Sequence, residues 1–269
     1  MQTQPEGLKP SIIVLPGVSE EKIRACYDAA PGSEIQSGKF ANPESSAALV
    51  ANAFGYFLQQ PDLLPVLPGC QECGWPVQTL ALEQIVKFPW SGGRHPCLDV
   101  LITTHSALIG VESKRYEPFR AHPAVHFAEA YWRLVWGDRM TGYENMRDSL
   151  NNQSMTFQHL DAAQLIKHAF ALRTEVQPGR RNHGKCPVLY YLYAEPMMWP
   201  DQRPIDVRMV EEHRQEVALF SQAVRNDEVV FVACSYREVL EGWKQSQTEP
   251  LQQHAKAVAD TFSIKRLEL

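Results

Sequence analysis

A chain of 269 residues, 44% of them hydrophobic, holds enough apolar mass for a substantial core in one large domain or two small ones. It has no run of about 18 apolar residues, the length a membrane helix needs, and MQTQPEGLKP has neither the charged start nor the apolar stretch of a secretory leader, so a soluble, cytoplasmic protein is expected. Six cysteines are too few for a disulfide scaffold, and a net charge of −5 excludes a global attraction to polyanions, leaving that task to a local basic patch or to bound metal ions.

The chain has no internal repeat or low-complexity tract, so its 19 prolines are the main punctuation. Asn42 before Pro43 reads as an N-cap with proline at the first helical position. It predicts a helix to about Gln60, stopped by Pro61, with Ala48, Leu49, Ala53, Phe54 and Phe57 on its apolar side. After a loop rich in Pro, Gly and Cys, three runs suit strands: Val77 to Phe88, Cys97 to Thr104, and Ala107 to Arg115. The glycine-bearing PWSGGRHP joins the first two, and the three together form a meander. Tyr116 to Gln158 is aromatic-rich and helical in parts, and its AYWRLVW stretch reads as core rather than as a base-stacking platform. Asp161 to Arg173 predicts a helix from the spacing of Ala162, Leu165, Ala169 and Leu172. Pro187 to Pro196 follows as a strand, Met209 to Val224 as an amphipathic helix, and Val229 to Ser235 as a strand. This order implies a mixed sheet covered by helices, an α/β or α+β sandwich.

Chemistry concentrates in LDVLITTHSALIGVESKRYEPF. Asp99 sits among Leu98, Val100, Leu101 and Ile102, and thirteen residues later come Glu112, Ser113 and Lys114. Side chains alternate along a strand, so Glu112 and Lys114 share one face while Ser113 points away. A hairpin turning at His105 and Ser106 pairs positions that sum to 211, which sets Asp99 opposite Glu112. Opposed carboxylates repel unless something bridges them, and a hard divalent cation such as Mg²⁺ takes one or two carboxylates and completes its shell with water and phosphate oxygen. Lys114, two residues from one ligand, is placed to orient or deprotonate a water or to stabilise charge on phosphorus. The bland reading is an edge hairpin with a surface ion pair, worth about 0–1 kcal/mol. The apolar neighbours of both acids oppose it, because buried unpaired charge is costly.

At these residues the chain resembles the PD-(D/E)XK nuclease superfamily, which carries an acid in its second core strand and (D/E)-X-K in its third, within an αβββαβ core. The match is Asp99 with Glu112-Ser113-Lys114. It departs from the pattern at Leu98, where proline is usual, the nearest proline being Pro96. The resemblance implies a restriction-endonuclease-like fold in a single nuclease-like domain, with a core over about 42–240 and residues 1–41 and 241–269 as peripheral extensions. It implies that Asp99, Glu112 and the Ser113 backbone carbonyl hold Mg²⁺, with Mn²⁺ substituting, that Lys114 acts on the attacking water, and that DNA is the substrate, with a homodimer possible. Glu83, and less so Glu44, stand as an added acid. Gln164 stands as the polar residue from the helix after the meander, with Lys167, three residues on, projecting with it toward the phosphate as a nucleic-acid-binding candidate, and Glu117 as a brace. Arg180, Arg181 and Lys185 in PGRRNHGK are candidates for gripping the nucleic-acid backbone. The alternative is a nuclease-fold module that binds nucleic acid without cleaving it. Cys70 and Cys73, with His95 and Cys97 downstream, carry only a weak zinc pattern. No G-x-S-x-G, Walker or G-x-G-x-x-G motif is present.

Overall fold

A computed structural model of the protein describes residues 12–121 and 126–264. In chain order the described residues form α1 (Glu20–Ala29), α2 (Ser46–Gly55), β1 (Thr79–Ile85), β2 (Cys97–Thr103), β3 (Ala107–Lys114), α3 (Thr141–Asn151), α4 (Ala162–Glu175), β4 (Cys186–Tyr193), α5 (Val207–Val224), β5 (Val230–Ser235), α6 (Tyr236–Lys244) and α7 (Glu249–Thr261). The five strands lie in sequence order in one sheet, β1, β2 and β3 antiparallel and β3, β4 and β5 parallel. β3 and β4 are buried along nearly their whole length because each has a neighbour on both edges and helices on both faces, which is why their sequences read as apolar runs.

Two cores flank the sheet. Leu82, Val100, Ile109 and Tyr190 pack with residues of α1, α2, α6 and α7 on one face, while Leu98, Leu108, Leu189 and Tyr191 pack with α3, α4 and α5 on the other. Polar caps start the helices: Ser45 Oγ accepts from Ala48 N, Asp161 from Gln164 N, and Ser235 forms a reciprocal capping box with Glu238. Gly110 has no side chain because none fits. A Cβ there would stand 2.6 Å from Leu98 Cδ1 and 3.0 Å from both Leu172 methyls, so glycine lets α4 lie directly on β3.

The mixed, helix-covered sheet expected from the sequence is present, and the hairpin register sums to 211, from Val100↔Val111 to Thr103↔Leu108. Two expectations are corrected. The helix expected from Asn42 to about Gln60 is α2, Ser46–Gly55, because Asn42 Oδ1 accepts from Glu44 N in a local turn and Ser45 takes the cap. The described parts of 1–41 and 241–269 are not peripheral: Ile23 and Tyr27 of α1 and Leu251, Ala255 and Val258 of α7 belong to the core that contains α2.

Candidate active site

β3 carries Glu112 and Lys114 two residues apart on the face covered by α4, and both meet partners there. Lys114 Nζ lies 2.6 Å from Glu112 Oε1 and donates to Gln164 Oε1 at 2.8 Å. His168, one helical turn after Gln164, sets Nδ1 3.1 Å from Glu112 Oε2. The Glu112 side chain is 2% exposed and that of Lys114 15%. Despite the short distance, Glu112 Oε2 and His168 Nδ1 are both buried without a well-aligned hydrogen bond.

Asp99 stands one step beyond the last β2–β3 pair, where its Oδ2 accepts from Ser113 N at 2.6 Å. The Ser113 hydroxyl points away from Lys114 and shares a 2.7 Å hydrogen bond with Tyr236 OH. Asp99 lines a cavity of about 490 Å³ together with Glu83, Cys97, Glu117 and Ser46 at the start of α2; Glu112 and Lys114 are not on its wall. The shared face expected for Asp99 and Glu112 is therefore corrected: Asp99 comes to the end of the sheet from the α2 side, Glu112 and Lys114 from the α4 side, and the Ser113 peptide joins them. The cause is local backbone. Glu83 has φ 51°, in the left-handed region, and neither it nor Asp99 takes part in the β1–β2 ladder. Leu98 consequently packs toward α4 while Val100 packs toward α2, so strict alternation fails between them.

Charge is unevenly tolerated here. Burial and the nearby Glu112 push the Asp99 carboxyl well above its ordinary range, with Glu83 adding to the effect, and Lys114 and the Ser113 N–H only partly offset this. Burial also opposes ionised Glu112, but Lys114 and His168 together outweigh it and hold this carboxyl at about 2. Burial lowers Lys114, yet Glu112, Glu117 and Asp99 override it and raise the ammonium above its ordinary value. Burial raises Glu83 as well, against hydrogen bonds from Cys97 and Tyr27.

The remaining sequence candidates divide. Gln164 joins the group directly, while Lys167 does not follow it: its Nζ lies 5.4 Å from the centre of the Phe127 ring. Glu117 braces the strand end, accepting from Arg115 N, Tyr116 N and the Ser46 hydroxyl. Glu44 pairs with Arg120 on the cavity rim. Arg180, Arg181 and Lys185 are not brought to the acids. Lys185 donates to the Thr104 and His105 carbonyls at the β2–β3 turn, and Cys186 pairs with Ala107, so this loop lies at the opposite end of β3 from Lys114. Seven residues of strand separate the two, about 23 Å. The cysteine set is also split: His95 Nδ1 accepts from Phe88 N, Cys97 Sγ reaches Glu83, and Cys70 lies in the α2 core. Among the described residues no group of three or more His, Cys, Asp or Glu is placed to hold a metal ion. His168 was missed from sequence. The signal available was its spacing of four from Gln164 on the helix that covers the E-x-K strand.

An acid on the second strand of a three-strand meander, E-x-K on the third, and a parallel continuation through a covering helix define a restriction-endonuclease-like protein of the PD-(D/E)XK superfamily. Residues 10–261 match the model of the family described as Restriction Endonuclease associating with ARP, and the chain belongs to that family. No curated protein and no solved structure matches it. No helix among the described residues is long and apolar enough to cross a membrane.

Proposed function

We propose that the protein is a Mg²⁺-dependent nuclease that hydrolyses phosphodiester bonds in DNA at the end of the sheet where Asp99, Glu112 and Lys114 lie. The observation that carries this reading is the burial of Glu112 between Lys114 and His168, one residue from the peptide N–H that Asp99 accepts. Two features fit a divalent cation. Glu112 Oε2 is buried with only His168 Nδ1, at 3.1 Å and poorly aligned, facing it, and Asp99 is a carboxyl whose ionised form the fold opposes unless positive charge arrives. Asp99, Glu112 and the Ser113 carbonyl are the residues to hold the ion, a small set suited to Mg²⁺, which keeps several waters. When bound, the metal lowers the pKa of water and offsets charge on the phosphoryl oxygens.

The chain's own groups do the rest. Lys114 stays an ammonium because three acids face it, so it donates hydrogen bonds and positive charge to the phosphoryl group and does not take the proton of water. Gln164 accepts from Lys114 and fixes its direction, and His168 flanks Glu112 on the side away from Lys114. The test is cleavage of supercoiled plasmid with Mg²⁺ or Mn²⁺ and in EDTA, for the unaltered protein and for Asp99→Ala. Metal-dependent nicking lost in the variant supports the reading, and no nicking of DNA or RNA by the unaltered protein refutes it.

One observation favours the second reading, a silent nuclease-fold binding module: both Glu112 oxygens already face cations or imidazole, and the described residues hold no three-ligand cluster. Nucleic-acid binding without cleavage at any divalent-ion concentration is its signature. The family description adds association with ARP as an expected protein partnership for this chain.

A further inference from the structure

The loop between β1 and β2, residues 86–96, is held far more firmly than its Pro-Gly composition requires. Phe88 stacks on Trp90 at 4.8 Å, and both rings meet the edges of Tyr131 and Trp136, while Trp136 in turn stacks on Phe170 of α4 at 4.2 Å. Phe88 N donates to His95 Nδ1, tying the two legs of the loop together, and Gly92 and Gly93, with φ 82° and 77°, form its tip. On this fixed frame Lys87 and Arg94 are exposed and form no ion pair among the described residues, and the loop contains no acid. Arg133, from the neighbouring segment, lies over Trp90 at 5.0 Å, and Lys167 of α4 lies against Phe127. The one acid in 126–136 is Glu129.

The placement matters as much as the charge. The loop joins the ends of β1 and β2 next to Glu83 and Asp99, and Lys167 is one helical turn from Gln164, which holds Lys114. These cations therefore stand at the end of the sheet that bears the acids. Phe88 and Arg133 both lie against Trp90, and Arg147 lies over Trp132, so cations already pack on two of the rings in this wall. With Lys87, Arg94, Arg133 and Lys167 set against Glu129, the charge of the wall suits phosphates. We infer that Lys87, Arg94, Arg133 and Lys167 form the track that receives the phosphodiester backbone leading to the Asp99–Glu112–Lys114 site, in place of Arg180, Arg181 and Lys185. This inference rests on the nuclease reading for what the track serves.

The test is binding of fluorescein-labelled 20-nucleotide DNA, single-stranded and duplex in separate arms, in Ca²⁺ over a range of NaCl. In the variant K87Q/R94Q/R133Q, affinity is expected to fall tenfold or more for every sequence tried, with the slope of log K against log salt reduced by about 1 for each phosphate-contacting cation removed. Because Arg133 packs on Trp90, K87Q/R94Q serves as a second variant that alters only exposed side chains, with an expected slope change of about 2. R180Q/R181Q, at the far end of the sheet, is expected to bind as the unaltered protein does. The arm that loses more affinity identifies the form of backbone the track takes. If the loop variants bind as tightly as the unaltered protein while it still nicks plasmid, the track is overturned and the nuclease reading stands. If the unaltered protein neither binds nor nicks, both fall.

Discussion

Replacing the two carboxylates by amides one at a time, in EDTA, is expected to move stability in opposite directions. Glu112 is held at about 2 against an ordinary value of 4.5. Between those values the folded protein binds fewer protons than the unfolded chain, so the stabilisation is complete above about pH 4.5 and is lost as pH falls through about 2. A gap of roughly 2.5 units corresponds to about 3 kcal/mol at 1.36 kcal/mol per unit. Glu112→Gln should therefore lower the melting temperature at pH 7 by about 6 °C or more, at roughly 2 °C or more per kcal/mol for a chain of this size. Asp99 has the other sign. Its folded-state pKa lies above the ordinary 3.8, so ionised Asp99 opposes folding, increasingly as pH rises from 3.8 through the raised value, and not at all below both. Asp99→Asn keeps an acceptor for Ser113 N and removes the repulsion from Glu112 and Glu83, so it should raise the melting temperature at pH 7. Differential scanning fluorimetry at pH 7 reads both variants. Added Mg²⁺ should stabilise the unaltered protein and leave Asp99→Asn unmoved. A comparable loss of stability in both variants would refute the assignment of Asp99 as an uncompensated acid and make the two carboxylates a structural pair.

Lys114→Met keeps much of the aliphatic stem and removes the ammonium, so Mn²⁺ binding by calorimetry should persist while plasmid cleavage falls by orders of magnitude; cleavage at the unaltered rate would make Lys114 a bystander. Gln164→Leu removes the acceptor 2.8 Å from Lys114 Nζ and should slow cleavage by about tenfold to a hundredfold, the worth of a hydrogen bond to a charged group, without changing Mn²⁺ affinity. Gly110→Ala drives a methyl against Leu98 and Leu172 and should cost about 1–3 kcal/mol in urea unfolding, and a neutral effect would contradict the close approach of α4 to β3.

What the sequence disclosed about this site follows from the range of the forces involved. The three-strand meander and its hairpin register were legible because a short turn and two apolar runs leave one pairing that buries both strands, and the observed Val100↔Val111 ladder keeps that register. The direction of Asp99 was not legible. Facing follows from alternation only while a strand is regular, and the left-handed backbone at Glu83 is a feature no pattern of apolar residues announces. α1 was missed for a related reason: EEKIRACYDA buries only Ile23 and Tyr27, too narrow a stripe to stand out from its charges. His168 and Glu112 are 56 residues apart, and their meeting depends on where α4 settles on β3. That is a tertiary fact, which the absent side chain of Gly110 makes possible.

Electrostatics then decides which cations are able to serve this end of the molecule. The cavity beside Asp99 is lined by Glu34, Glu44, Glu83, Asp99 and Glu117 against Lys39 and Arg120 alone, and the whole chain is net acidic. A polyanion meets repulsion there unless positive charge offsets it. At physiological salt a charge is screened within about 8 Å, so cations of the loop at the opposite end of β3, which spans about 23 Å, exert almost no pull at the acids. Lys87 and Arg94, on the loop that leaves β1 just past Glu83 and enters β2 just before Asp99, have no such distance to cross. In the basic PGRRNHGK segment, Lys185 ties the β2–β3 turn to the start of β4 through the Thr104 and His105 carbonyls.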